Sequence, residues 1–438
     1  MTRLATLLIS SVLSLVALGP LSAHADDLRA KDTFAIVWER LQNSGFKGKH
    51  EGLDWAALKA THQADIENAE NVAALRREIN ELLQDLRASH LVLIPAEAMP
   101  QPGKSAPIGN GELGLRLSIV DGQLLVEQVI DGFPAQRAGI RPGWQVEGIG
   151  DFNAAPALAA LASAAPDAAR RSASIFQLRT NDLVDELQPG SDIPLRLRDL
   201  NGEVRTLSLK AIANPDVQTV TIPGLPPMPM RFSQRKLPTA ANGCVLYVEF
   251  SQWAMPVYDR FVEALRKDGG CDGVVIDLRG NSGGLMAAMS AVGGLFFDKT
   301  VSLGTLSTSG GDLKLAALPR VVTDDGQDVR RFSGPLAILT DRASISCSDI
   351  FPASMQALGR AHIFGDTSAG MALPAGVAPL PSGDRLMYPI ADFVDSNGRR
   401  IEGVGVIPDT PSAPTPAALR AGRDNALEAA LAWIDHAN

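Results

Sequence analysis

The chain has 438 residues, 45% of them hydrophobic, with 40 Lys and Arg against 49 Asp and Glu for a formal net charge of −9. Charges of both signs are interspersed and no basic patch is interleaved with aromatics, which excludes nucleic acid as a partner class. Neither C-x-x-C nor H-E-x-x-H spacing occurs, so the sequence offers no metal-ligand set and points to no cofactor.

In chain order, Met1-Thr2-Arg3 precedes an apolar run from Leu4 to Leu21, and Ala23-His24-Ala25 places small residues at both positions of an A-x-A cleavage signal. This is the pattern of a secretory signal peptide over 1–25, and it predicts export to a bacterial periplasm or the extracellular space. The run is short for a membrane anchor and nothing basic follows it. No cysteine near the cleavage position suggests lipidation. Cleavage leaves 438 − 25 = 413 residues, enough for two or three domains, with no later stretch apolar enough to span a bilayer.

Residues 26–107 show helical spacing, with Phe34, Val37, Trp38 and Leu41, then Leu75, Ile79, Leu82 and Leu86. The region ends in DLRASHLVLIP, where helical spacing gives way to a β-like run. Residues 108–213 open with two strand-like runs meeting at Asp121-Gly122, a strong hairpin signal. An Ala-rich helical stretch is expected from about Ala155 to Ala173. A further β-like segment turns at Asn201-Gly202. A proline-rich connector, 214–238, contains IPGLPPMPM and is expected to be extended.

Residues 239–438 alternate strand and helix: CVLYVEF, GVVIDLR and PLAILT are each followed by a helical pattern. That alternation predicts an α/β layer structure with a largely parallel sheet. GDRLMYPIADFVDSNGRR reads as a hairpin turning at Ser396-Asn397-Gly398, and an amphipathic helix closes the chain. Cys244 and Cys271 each begin a strand-like run. If those strands are parallel neighbours the two come within disulfide reach; two free buried thiols are the alternative.

In such sheets, reactive groups collect where turns leave the carboxyl ends of parallel strands. Two turns stand out. DLRGNSGG runs from a strand into Gly280, Gly283 and Gly284, where free N–H groups suit an oxyanion; a purely structural turn is the alternative. LTDRASISCSDIF brings Ser346 to the mouth of a helix, where Ser and Asp also serve as plain N-caps. A serine nucleophile needs a base, and no lysine follows Lys314. Of the six histidines, His24 leaves with the signal peptide, His436 adjoins the terminus, and His50 and His62 lie in polar context. His362 falls in a strand-like run. His90, between a helix and an apolar run, reads either as a structural histidine or as the base.

Taken together, FAIVWERLQ, LLQDLRASH, VLYVEF, GVVIDLRGNSGG, ISCSDIFPASM, GRAHIFGD and IEGVGVIPD resemble the carboxy-terminal processing (tail-specific) serine proteases and their tricorn-core relatives. The resemblance implies an α/β fold made of an N-terminal helical region, a PDZ-like domain and a crotonase- or ClpP-like protease core with a largely parallel sheet. The tail-specific branch uses a Ser–Lys dyad, and Met371 stands where its lysine would be. The tricorn-like branch supplies a histidine from a Ser-His step and a glutamate from an E-x-x-G-V-x-P-D step. Ser89-His90 and Glu402 through Asp409 match both.

The resemblance therefore implies Ser346 as nucleophile, His90 as base, and Glu402 as its support through the Ser89 hydroxyl. It also implies an oxyanion hole from the N–H groups of Cys347 and of Gly283 or Gly284, and no cofactor. The PDZ-like loop would be Leu113, Gly114 and Leu115, binding a peptide terminus, although Trp144-Gln145 replaces the usual Asp after Pro142-Gly143. Expected partners are protein or peptide substrates. The competing reading is a catalytically idle peptide-binding scaffold of the same fold. A non-peptidase hydrolase or apolar-ligand binder rests on fold analogy alone.

Overall fold

A computed structural model describes residues 29–45, 52–100, 109–240, 242–320, 322, 326 and 328–437; the expected signal peptide lies outside the described residues. Three helices open the described chain: α1 (Ala30–Gln42), α2 (Trp55–Glu67) and α3 (Val72–Asp85). Asp54 and Asn71 cap the second and third, accepting the N–H groups of Ala57 and Ala74. Their apolar stripes bury Trp38, Leu41, Leu75, Ile79 and Leu82 in one cluster that also takes in Leu386. The strand Val92–Ile94 then pairs antiparallel with Arg385–Pro389. The segment bearing Ser89 and His90 is thereby fixed against the carboxyl half of the chain.

An antiparallel sheet follows, in the order β1 (Leu115–Val120), β2 (Gln123–Val129), β3 (Gln145–Ile149), β4 (Asp192–Arg198) and β5 (Val204–Lys210). Asp121 and Gly122 both have positive φ, 50° and 74°, as a tight hairpin with the strands' own twist demands. Helix extends further than the expected 155–173: Ala154–Ser163 is followed by α4 (Pro166–Asp185). Trp144 is buried in this sheet's own core.

The main sheet runs in sequence order: β6 (Val217–Val220), β7 (Met228–Pro238), β8 (Cys244–Phe250), β9 (Gly273–Asp277), β10 (Leu336–Thr340), β11 (His362–Gly365) and β12 (Thr410–Pro411). β6, β7 and β8 are antiparallel, and β8 through β12 are parallel. The expected connector 214–238 is therefore not a separate linker. Most of it forms the β6–β7 hairpin on the sheet's edge, where a proline such as Pro229 is tolerated. Along β8 to β10, Leu246, Val248, Val274, Ile276, Leu336 and Ile338 face one core. That core is completed by α5 (Met255–Asp268), α6 (Met286–Gly293) and α7 (Cys347–Ala357). The alternate residues Val245, Tyr247, Val275, Ala337 and Leu339 face α8 (Asn425–Ala437). Two covered faces explain why these strands read as unbroken apolar runs.

Cys244 and Cys271, at the amino ends of the neighbouring strands β8 and β9, form a disulfide with Cα atoms 4.8 Å apart. The hairpin expected at Ser396-Asn397-Gly398 is corrected. Arg385–Pro389 pairs with Ala375–Pro379, whereas Ala391–Asp395 joins Val301–Thr308 in another sheet. Across the expected turn only a Val394–Arg400 bridge forms. Asp395 accepts the N–H groups of Asn397 and Arg399, which makes a real turn but no returning strand.

Candidate active site

Four turns leave the carboxyl ends of β8 to β11 and converge on one large cavity. Ser346, His90, Gly283, Gly284, Cys347 and Met371 all line it. Ser346 caps α7 with φ 60° and ψ −116°. A non-glycine residue in that region stores about 1–3 kcal/mol of strain and persists only where surrounding contacts over-determine it. The serine stands at the N-terminus of α7, where the helix dipole favours developing negative charge.

His90 also has positive φ, 59°. Its Nδ1 lies 2.9 Å from Ser89 Oγ, and Ser89 Oγ donates to Glu402 Oε2 at 2.9 Å. A hydroxyl has one proton. With that proton on Glu402, Ser89 accepts from His90 Nδ1–H, so the lone pair sits on Nε2. Glu402 is buried. It also accepts the N–H groups of Ser89 (3.2 Å) and Ala372 (2.8 Å). Burial raises its pKa, opposed by these hydrogen bonds and by the charge of Arg171. The His90 ring keeps some exposure to the cavity, yet the surrounding protein pushes its pKa down to about 4. The resting imidazole is therefore neutral. Among the described residues no hydrogen bond joins it directly to Ser346.

The predicted oxyanion donors separate. Gly283 N–H is engaged by Asn281 Oδ1 at 2.9 Å, which corrects its expected role. No oxygen acceptor for Gly284 N–H or Cys347 N–H is found among the described residues, although both backbones also bond the Cys347 thiol; the latter opens a helix, where N–H groups lack intrahelical partners by geometry. The Cys347 thiol contacts Gly284 O at 3.2 Å and ties the two turns together. Burial pushes that thiol up to about 12, so it is inert beside the serine. Gly283 is required for another reason: a Cβ there would lie 2.5 Å from Ser346 Cβ. Met371, in the position of the missing lysine, is buried with Ile345 and Ala369. Its carbonyl accepts the Ser346 N–H at 3.0 Å.

At the other predicted site, Leu113 N–H is taken by Val184 O of α4 at 2.9 Å. Gly114, with φ 78°, packs against Phe133. Leu115 begins β1, whose outer edge is already occupied. Asn181 of α4 accepts Leu117 N–H and donates to Leu117 O, both at 2.9 Å, and Gln177 accepts Ile119 N–H at 3.1 Å. A peptide terminus at the Leu113–Leu115 loop would therefore find the adjoining edge of β1 already bonded by this helix. Gln177 also donates to Asp341 Oδ2 at 2.7 Å, and Asp341 Oδ1 accepts Gly280 N–H and Ser344 Oγ–H.

Sequence reasoning missed Asn181, Gln177 and Asp341, whose roles depend on long-range contacts. It also reduced Asp349 to a helix cap. The two set-aside histidines within the described core serve structure: His62 meets Asp85 and His362 meets Thr410, each at 2.9 Å. Among the described residues no cluster of His, Cys, Asp and Glu could hold a metal ion, and no helix is long and apolar enough to cross a membrane.

The architecture is a mixed α/β one of helices and several sheets, with Ser346 capping α7 beside the carboxyl ends of the central strands. Residues 244–412 match the profile of Peptidase family S41, and the chain is similar in sequence to carboxyl-terminal-processing proteases. It is 25% identical over 221 residues to the carboxyl-terminal-processing protease of Picosynechococcus sp., covering 49% of this chain and 50% of that one. With the carboxy-terminal processing protease CtpB of Bacillus subtilis it shares 21% identity over 346 residues, 78% of this chain and 64% of the other. The chain thus spans about half to under two thirds of these relatives' own length.

Among solved structures, the photosystem II D1 C-terminal processing protease superposes with a TM-score of 0.55 at 19% identity, covering 93% and 97% of the two chains. Mature CPAF gives 0.60 at 14% identity, covering 93% and 97%. The tricorn protease gives 0.50 at 16% identity over 94% of this chain and 37% of that one. At these identities the likeness is one of fold.

Proposed function

We propose that this chain is an exported serine peptidase that hydrolyses peptide bonds, with Ser346 as nucleophile and His90 as general base. The supporting observation is the relay Glu402–Ser89–His90, which leaves His90 Nε2 unprotonated on the wall of the cavity that also exposes Ser346. In the reaction, Ser346 Oγ bonds to the scissile carbonyl carbon as its proton passes to His90 Nε2. The carbonyl oxygen takes the negative charge and meets Gly284 N–H and Cys347 N–H, each such donor worth about 3 kcal/mol of barrier by analogy with other oxyanion holes. The imidazolium protonates the leaving amine, and water attacks the acyl-enzyme with His90 again as base. Glu402 stabilises the transient positive charge through Ser89.

The reading extends to organisation. Residues 1–25 act as a signal peptide, and the Cys244–Cys271 disulfide suits an oxidising compartment. Residues 26–107 carry the base, 108–213 form a PDZ-like domain, and the core of 239–438 is completed at its edge by the hairpin of 217–238. Protein or peptide substrates would enter the cavity between these parts.

One observation favours the idle-scaffold reading: Ser346 and His90 are not directly hydrogen-bonded. Catalytic hydrogen bonds often close only when substrate binds. The two readings part on one experiment, turnover of an unfolded protein by wild type and by Ser346→Ala. Loss of cleavage in the variant is expected; equal cleavage by both rules out Ser346 as nucleophile.

A further inference from the structure

The nucleophile's backbone conformation needs something to hold it, and the catalytic relay does not touch it. The carboxylate of Asp349, fully buried in the first turn of α7, receives four hydrogen bonds. Its Oδ2 accepts Ser346 N–H at 3.1 Å and Met371 N–H at 3.0 Å. Its Oδ1 accepts Gly370 N–H at 2.9 Å and Ser368 Oγ–H at 2.5 Å. Ser368 Oγ in turn accepts Val406 N–H at 2.7 Å, on the loop that begins with Glu402. No cation pairs with Asp349 among the described residues. A carboxylate buried without a counter-charge is costly, and burial pushes its pKa up to about 7 against the pull of these donors.

We infer that Asp349 is a positioning residue that fixes Ser346 in its reactive backbone conformation and, through Ser368, sets the Glu402 loop in register with it. The inference rests on Ser346 being the nucleophile. The geometry leaves little slack. The turn 368–371 and the loop 402–406 meet backbone to backbone: a Cβ on Gly370 would lie 2.8 Å from Gly405 N, and one on Gly405 2.4 Å from Ser368 O. Ser346 N–H is shared between Asp349 Oδ2 and Met371 O. Removing the carboxylate frees the serine turn to relax toward an ordinary helix cap. Asp349 does not line the cavity, so its loss acts on Ser346 rather than on substrate.

The test uses Asp349→Asn, which keeps size but faces two of the four donors with an NH2 group. The readouts are the rate at which a small fluorophosphonate labels Ser346, and kcat and KM on a peptide. In the labelling step Ser346 Oγ bonds to phosphorus, fluoride leaves and His90 takes the hydroxyl proton. Ser346→Ala is the control that must not label.

The expected result is a folded variant that labels about 10²-fold more slowly, with kcat reduced similarly and KM within about twofold of wild type. Wild-type labelling in a folded Asp349→Asn variant overturns the inference while leaving Ser346 as nucleophile. If that variant does not fold, Ser368→Ala decides: a rate about tenfold lower at unchanged KM supports the role, and an unchanged rate overturns it. If wild type itself is not labelled at Ser346, the peptidase reading falls and this inference with it.

Discussion

Two side chains proposed for the chemistry, Ser346 and His90, share positive φ, at 60° and 59°. Neither is glycine, so each is held there by its neighbours: the Asp349 carboxylate for the serine, and the Ser89–Glu402 relay and the strand after it for the histidine. For His90 the pKa falls from 6.5 unfolded to about 4 folded, by burial. The folded state therefore binds fewer protons between those values. The resulting stability is present above pH 6.5 and is lost as pH falls through about 4. Wild type compared with His90→Gln by urea unfolding should lose about 3 kcal/mol of relative stability between pH 7 and pH 4. Ser89→Ala removes the bridge to Glu402 without touching substrate. It should lower kcat/KM by about 10- to 100-fold with little change in KM, measured on a peptide substrate. The residue types at this site were legible in the sequence because they sit in short motifs. The Gly283–Asn281 hydrogen bond was not, since a glycine's N–H carries no mark of its partner.

At the scale of elements, α4 is the feature that periodicity undervalued. The expected helical span, 155–173, follows the alanines, but the working end of α4 is polar: Gln177, Thr180 and Asp185 are buried, and Asn181 lies half-buried against β1. A helix that buries amides against a strand edge looks like a solvated face in sequence. Asn181 satisfies both backbone groups of Leu117, as another peptide unit would. Asn181→Ala should cost about 2 kcal/mol in urea unfolding and speed hydrogen exchange at the Leu117 amide, because both groups lose their partner. Arg179→Ala, two residues away and paired with Asp182 on the exposed side, should cost under about 0.5 kcal/mol. By contrast, the strands β8 to β10 were legible to within a residue or two. Both of their faces are buried, and unbroken apolar runs announce that directly. The 396–398 turn was read correctly as a turn and wrongly as a hairpin, since strand partners 83 to 91 residues away leave no local trace.

At the scale of the molecule, the antiparallel sheet is tied to the main sheet by partly buried ion pairs. Arg116 of β1 reaches Glu249 of β8 at 2.7 Å and Asp185 of α4 at 3.3 Å, while Arg231 of β7 reaches Asp185 at 2.8 Å and Glu112 at 3.4 Å. Desolvation works against this network, and the carboxylates around Arg116 hold its guanidinium firmly charged. Arg116→Ala should therefore destabilise by about 1–3 kcal/mol, because Glu249 loses its partner while Asp185 keeps Arg231. The measurement is urea unfolding, where separation into two transitions would mark uncoupling of the sheets. Nothing in the sequence pairs residue 116 with 249.

The relay itself joins residues 313 apart in the chain, Ser89 and Glu402. During synthesis the serine turn leaves the ribosome well before the glutamate that completes the proton pathway. A nascent or prematurely terminated chain ending between Ser346 and Glu402 would hold the proposed nucleophile without the carboxylate that completes the relay. The order of the parts along the polypeptide thus leaves the proposed relay incomplete until residue 402 has been added.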